Sequence, residues 1–201
     1  MDPNHPMLKR AYNLSGKEET ESLYDDWAGT YDTDTADGFG YVAPEHAAER
    51  LAALVPPTAT VLDAGCGTGL VGAQLAARGF TTIDGIDLSH GMLDQARAKS
   101  AYRNLSKADL TERLPFADDT YDATICVGTL TEGHVGPEAL DELVRVTRAY
   151  LVVTVLSRIW ESLGYRAYIE GLESADLIEA DEHPYHLRED LTCRRVVLSV
   201  R

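Results

Sequence analysis

The sequence predicts an α/β fold, a mostly parallel sheet covered by helices on both faces, and three observations carry that prediction. Short apolar, β-branched segments alternate along the chain with amphipathic segments of helical period. The first clear strand runs into a turn with glycine at positions 65, 67 and 69 and then into an apolar helix. Acids close the first two strands, Asp63 and Asp87, at the end of a parallel sheet where ligands bind. No repeat or low-complexity linker interrupts the alternation, so residues 1–201 read as a single domain.

Residues 1–20 are polar and broken by Pro3, Pro6 and Gly16, so they are expected to be mobile or ordered only by contact with the rest. From Glu21 to Tyr31, Leu23, Tyr24, Trp27 and Tyr31 fall at helical spacings and give a short helix one aromatic face. Asp32 to Tyr41 reads as a loop, and Pro44 to Leu54 as a helix with Ala47, Leu51 and Leu54 inward. Val61 and Leu62 are the buried residues of the first strand. The glycines after it allow the backbone to turn sharply and approach a ligand without a Cβ in the way. Leu70 to Ala77 then supplies an apolar helix stopped by Arg78-Gly79.

Thr81 to Asp87 is the second strand, and Ser89 can cap a helix running to Lys99. Tyr102 to Asp109 reads as a third strand and Thr120 to Leu130 as a fourth, followed by an amphipathic helix over Gly136 to Arg148. Tyr150 to Leu156 is the most apolar strand. A helix over Ser157 to Gly171, a short strand near Asp176 to Ala180 and a last strand Arg194 to Val200 complete the chain, bringing the strands to seven.

Composition narrows the function. Thirty-three Asp and Glu against 18 Lys and Arg leave a net charge of -15, and the basic residues form no cluster beyond Arg194-Arg195. Nucleic acid and anionic membranes are therefore not expected as partners. Cys66, Cys126 and Cys193 form no CxxC pair and suit a reducing, cytoplasmic setting. No apolar run reaches the roughly 20 residues of a membrane span. His183 and His186 lie beside Asp181 and Glu182, but Pro184 and the lack of a helical register give the imidazoles no common face, and no metal is expected. Cys66 has no paired base and reads as a small filler of the turn.

A strand, a glycine turn and a helix amino terminus form a crevice for an anionic or polar ligand group. The dinucleotide pattern GxGxxG would require glycine where Leu70 stands, which counts against NAD, whereas Asp87, 22 residues after Gly65, suits a ribose diol in either case. The segments VLDAGCGTG and GIDLSHGMLDQAR resemble the first two motifs of class I S-adenosylmethionine-dependent methyltransferases. LPFADDTYDATICVGTLTEGHV, ALDELVRVTR and the early YDDWAGTYD resemble the subgroup related to the Williams-Beuren syndrome chromosomal region methyltransferase-like proteins. The chain departs from that pattern after Arg148, where Ala149 alone replaces the usual Pro-Gly-Gly turn.

The resemblance implies a doubly wound, Rossmann-like, three-layer domain whose last strand is antiparallel, with a core over residues 58–201 and a helical lid over 21–55. It implies S-adenosyl-L-methionine as cofactor and a small-molecule acceptor methylated on O, N or S, by a monomer or homodimer. Asp63, Gly65 and Gly67 would face the methionine portion. Asp87 would take the ribose hydroxyls, Leu88 and Met92 would lie against adenine, and Asp109 with Leu110 would read the adenine edge. Val127 and Gly128 would border the sulfonium. Aromatic faces attract such a cation, so Tyr24, Trp27 and Tyr31 are assigned to the lid. Glu132 or His134, just after the fourth strand, could act as a general base. A non-catalytic nucleoside-binding module and a nicotinamide-dependent oxidoreductase remain the alternatives.

Overall fold

The computed structural model describes residues 6–11, 14, 16–188 and 190–201, with the side chains of 36 and 37 left aside. Two amino-terminal helices, α1 (Pro6–Ala11) and α2 (Lys17–Trp27), lead into a π-helical turn, Thr33–Phe39, and α3 (Ala43–Ala52). The alternating core follows: β1 (Val61–Ala64), α4 (Leu70–Ala77), β2 (Ile83–Asp87), α5 (His90–Ala98), β3 (Asn104–Lys107) and β4 (Tyr121–Leu130). It continues through α6 (Ala139–Arg145), β5 (Thr147–Leu156), a 3-10 turn, α7 (Tyr165–Glu170), β6 (Ala175–His186) and β7 (Leu191–Val200).

The seven strands form one sheet in the order β3-β2-β1-β4-β5-β7-β6. Pairings from β3 to β5 are parallel, and β7 runs antiparallel to both β5 and β6. The winding reverses between β1 and β4, which places a crevice beyond their carboxyl ends. Residues of β1, β4, β5 and β7 are sealed from solvent together with Leu51 of α3, Leu75 of α4 and Leu140 and Leu143 of α6. A second, smaller cluster of Ala11, Leu14, Leu23, Trp27 and Phe39 sits apart from this core, with Tyr24 and Tyr31 packed on it. No helix among the described residues is long and apolar enough to cross a membrane.

Several expected boundaries move for physical reasons. The helix expected from Glu21 begins at Lys17 and stops at Trp27, because Gly16 turns the chain at φ 104° and Trp27 donates its indole N–H to Asp34. The expected loop 32–41 is instead a π-helical turn, which Gly40 ends at φ 68°. The helix expected over Gly136 to Arg148 is cut to Ala139–Arg145, since Thr147 and Arg148 already belong to β5. With the strand starting there, no Pro-Gly-Gly connection is needed. The helix expected over Ser157 to Gly171 is broken by Gly164 at φ 74°, leaving a single 3-10 turn and α7. Finally, β6 extends six residues past Ala180, through Pro184, which an edge strand tolerates.

Candidate functional site

The turn after β1 is shaped by glycine where only glycine serves. Gly65, at φ 72°, would press any Cβ into the Thr129 hydroxyl, while Gly67, at φ 52°, has open space where its side chain would stand. On the other side of the turn, Asp87 at the end of β2 accepts the backbone N–H of Gly67 at 2.8 Å and that of Ser89 at 2.9 Å. One carboxylate thus ties the first glycine turn to the start of α5. Burial pushes its pKa up, although the two N–H bonds oppose the shift.

Beyond these ends lies a cavity of about 230 Å³. Gly65, Gly67, Asp87, Leu88 and Met92 line one side, and Asp109 and Leu110 another. Val127 and Gly128 close the end toward β4, where a bulge between Cys126 and Leu130 lifts the strand out of register. Gly128, at φ 78°, donates its N–H to the Thr154 hydroxyl at 3.0 Å. Tyr24, Tyr31 and His134 complete the wall. Twelve expected site residues therefore surround one space.

Three expected residues do not line this cavity. Trp27 is 1% exposed and packed in the small amino-terminal cluster, its N–H taken by Asp34. Glu132 faces outward and pairs with Arg158 at 2.7 Å, because the turn at Gly133 swings it away from the crevice. Asp63 is fully buried one layer behind Gly65, where its Oδ2 accepts the Tyr102 hydroxyl at 2.6 Å and its Oδ1 has no hydrogen-bond partner among the described residues. Desolvation raises its carboxyl to about 7, against the pull of the Tyr102 bond.

The sequence reading missed Gly16, Lys17, Thr20 and Glu21, which also line the cavity. Lys17, Thr20, Glu21 and Tyr24 recur at one face of α2. Their periodicity was present in the sequence but lay in polar residues, which an apolar-face criterion passes over. Lys17 bonds Asp109 at 2.8 Å, and Glu21 bonds Lys107 at 2.5 Å. Asp109 also accepts from the Thr111 N–H and hydroxyl. Burial pushes its carboxyl up, but these bonds and the Lys17 charge outweigh it and hold the group below its ordinary value. Asp25, on the same helix, accepts the Ser89 hydroxyl at 2.5 Å and the Gly91 N–H at 2.8 Å, a second acceptor at the positive end of α5. Just before the π-helical turn, Asp32 holds Lys99 and the Thr68 hydroxyl, each at 2.5 Å.

A second, much smaller cavity of about 30 Å³ adjoins the first through walls they share: Tyr24, Tyr31, Gly128 and His134. Trp27, Tyr185, His186, Thr35, Thr131, Leu8 and Ala11 finish its lining, and no Lys, Arg, Asp or Glu is among them. At the shared wall, His134 Nδ1 lies 2.9 Å from the Glu132 carbonyl, an acceptor only, and 2.8 Å from the Thr131 hydroxyl. Nδ1 therefore carries the proton, and Nε2 is the acceptor for the Tyr24 hydroxyl at 2.6 Å. Burial lowers the His134 pKa, so the ring is neutral at neutral pH.

Residues 61–150 match a family model described as a methyltransferase domain. The chain is 38% identical over 181 residues to human Methyltransferase-like protein 27, covering 86% of this chain and 73% of that protein. It is 35% identical over 145 residues to the malonyl-[acyl-carrier protein] O-methyltransferase of Serratia marcescens, covering 70% of this chain and 53% of that one. Among solved structures, it superposes on a TehB-like SAM-dependent methyltransferase from Corynebacterium glutamicum with a TM-score of 0.67 at 21% identity, covering 90% and 99% of the two chains.

Proposed function

The chain belongs to the class I S-adenosylmethionine-dependent methyltransferases, and from that premise we propose that it methylates a small, uncharged acceptor held in the second cavity. The single observation carrying this reading is the adjoining pair of cavities, one polar and glycine-floored, the other aromatic, meeting at Gly128, Tyr24, Tyr31 and His134.

The first cavity fits the cofactor by the chemistry of its lining. Asp87 retains lone pairs for the two ribose hydroxyls, Leu88, Met92 and Leu110 offer apolar faces to a base, and Asp109 accepts from an exocyclic amine. The open side of Gly67 admits backbone approach to the methionine portion. When bound, the cofactor supplies an electrophilic methyl group on a sulfonium, and a neutral thioether leaves. The protein's part is positioning and exclusion of water. Residues of α2 cover the cavity, so this helix and Tyr31 act as the lid. Tyr24 and Tyr31 present rings to the shared wall, where a cation would be stabilised.

The second cavity disfavours a carboxylate or phosphate acceptor, since no Lys or Arg lines it to compensate a desolvated anion and His134 there is neutral. The net charge of -15 weighs in the same direction and against nucleic acid. An acceptor proton would pass to His134 Nε2, directly or through the Tyr24 hydroxyl. Glu132, turned outward to Arg158, orders the loop.

The test is turnover with a panel of amines, thiols, phenols and carboxylic acids. Methylation confined to neutral acceptors is expected, with His134→Ala lowering kcat by about 10²–10⁴-fold and cofactor affinity little changed. Because the His134 pKa is lowered, the acid limb of the wild-type pH–rate profile should fall below the ordinary histidine range. A carboxylate substrate turned over at the highest rate would refute the acceptor assignment.

A further inference from the structure

Tyr102 stands just before β3, in a seat made by three glycines. A methyl on Gly72 would collide with the phenol ring, one on Gly85 would come within 2.9 Å of it, and one on Gly69 within 3.0 Å. Gly72 and Gly85 have ordinary negative φ, so no turn requires glycine there. The space requires it. The ring so placed sends its hydroxyl to Asp63 Oδ2 at 2.6 Å and receives the Gly72 N–H at 3.2 Å.

Asp63 has poor company for an anion. It is fully buried, Asp87 faces it from β2, Cys66 from the turn and Cys126 from β4, and none of these offers a positive charge. Tyr102 is the side chain that donates to it and the Gly72 N–H lies near enough to favour the carboxylate, while its buried Oδ1 has no hydrogen-bond partner among the described residues. An unpartnered buried carboxylate oxygen is an acceptor waiting for a donor or a cation.

We propose that Tyr102 is a positioning residue for cofactor binding. Its hydroxyl favours the ionised form of Asp63 against the desolvation that opposes it and fixes the group in place, so that the carboxylate attracts the ammonium of the methionine portion. This inference rests on the assignment of the first cavity to the cofactor. Asp63 acts by charge from the layer behind Gly65, and Tyr102 acts through Asp63. Without the hydroxyl, the balance shifts further toward the protonated carboxyl, and less negative charge stands behind the turn at physiological pH.

The test is Tyr102→Phe, which leaves the ring in its glycine seat. Binding of S-adenosylhomocysteine, the demethylated product, is measured by titration calorimetry between pH 6 and 8.5, with thermal unfolding as a check on the fold. Affinity about five- to tenfold below wild type at pH 7 is expected, with the gap closing above pH 8 as Asp63 ionises unaided. In an Asp63→Asn background, the same substitution should change affinity less than twofold, because the hydroxyl then has no charge to hold. Equal affinity at every pH, or a loss of one size across the whole range, would overturn the positioning role. A wild-type protein that binds no S-adenosylhomocysteine would instead overturn the cavity assignment, and this inference with it.

Discussion

Asp63 and Asp87 are both carboxylates at strand ends, yet they stand in different chemical positions. Asp87 is satisfied by two backbone N–H groups and lines the cavity, whereas Asp63 is enclosed, with one hydroxyl on one oxygen. Folding thus holds Asp63 in a place where it prefers its proton. Its pKa rises from 3.8 to about 7, so the folded chain retains a proton that the unfolded chain releases between those values. Stability therefore falls as pH climbs through that window and levels off above it. Asp63→Asn should unfold at higher temperature than the parent above pH 7, a gain of roughly 4 kcal/mol that vanishes below pH 4, while cofactor affinity drops. Thermal denaturation across pH 4–8 checks the sign, and a variant less stable at pH 8 would contradict it. The sequence placed Asp63 correctly at the end of β1, but Tyr102 was legible only as a strand residue. Its role depends on Gly72, which lies outside both motifs, and on Gly85, which heads the second, and both become meaningful for Tyr102 once the ring is seen between them.

At the level of elements, α2 is held to the core by polar ties at both ends of the cavity. Lys17 reaches Asp109, Glu21 reaches Lys107, and Asp25 caps α5 from outside. Gly91 lets this happen, since a Cβ there would stand 3.1 Å from the Asp25 backbone. Asp25→Ala should loosen the helix by about 1 kcal/mol, the usual worth of a capping acceptor, and Gly91→Ala should do so by displacement. Hydrogen exchange of the α2 amides should accelerate in both variants while β4 and β5 stay protected, and unchanged α2 protection would show that the cap does not hold the helix. The carboxyl of Asp25 is desolvated, yet the Ser89 and Gly91 bonds lower its pKa on balance, so this tie is lost only on acidification below the ordinary carboxylate range. None of these partners could be paired from sequence, because Asp25 and Gly91 are 66 residues apart and carry no periodic signal linking them.

For the molecule as a whole, the alternation of strands and helices and the crevice at the strand ends were readable, since β-branched runs and a glycine turn are local features, whereas the order of the strands is not. Less readable were the carboxyl-terminal strands. Acids, a histidine and a proline at 181–184 hide half of β6, and a strand at the sheet edge has little need of apolar alternation to declare itself. The acceptor was hidden for a related reason: the second cavity is assembled from α1, α2, the π-helical turn, the ends of β4 and β6, and the loop after β4, whose residues meet only in the fold. What unites these parts is the cavity at the strand ends, with Asp87 at its centre. Titration calorimetry of S-adenosylmethionine against wild type and Asp87→Ala, both shown folded by circular dichroism, tests that assignment most directly. A loss of about 2 kcal/mol or more in the variant is predicted, as expected when charge-assisted bonds to both ribose hydroxyls disappear. Equal affinities would place the ribose elsewhere and contradict the assignment.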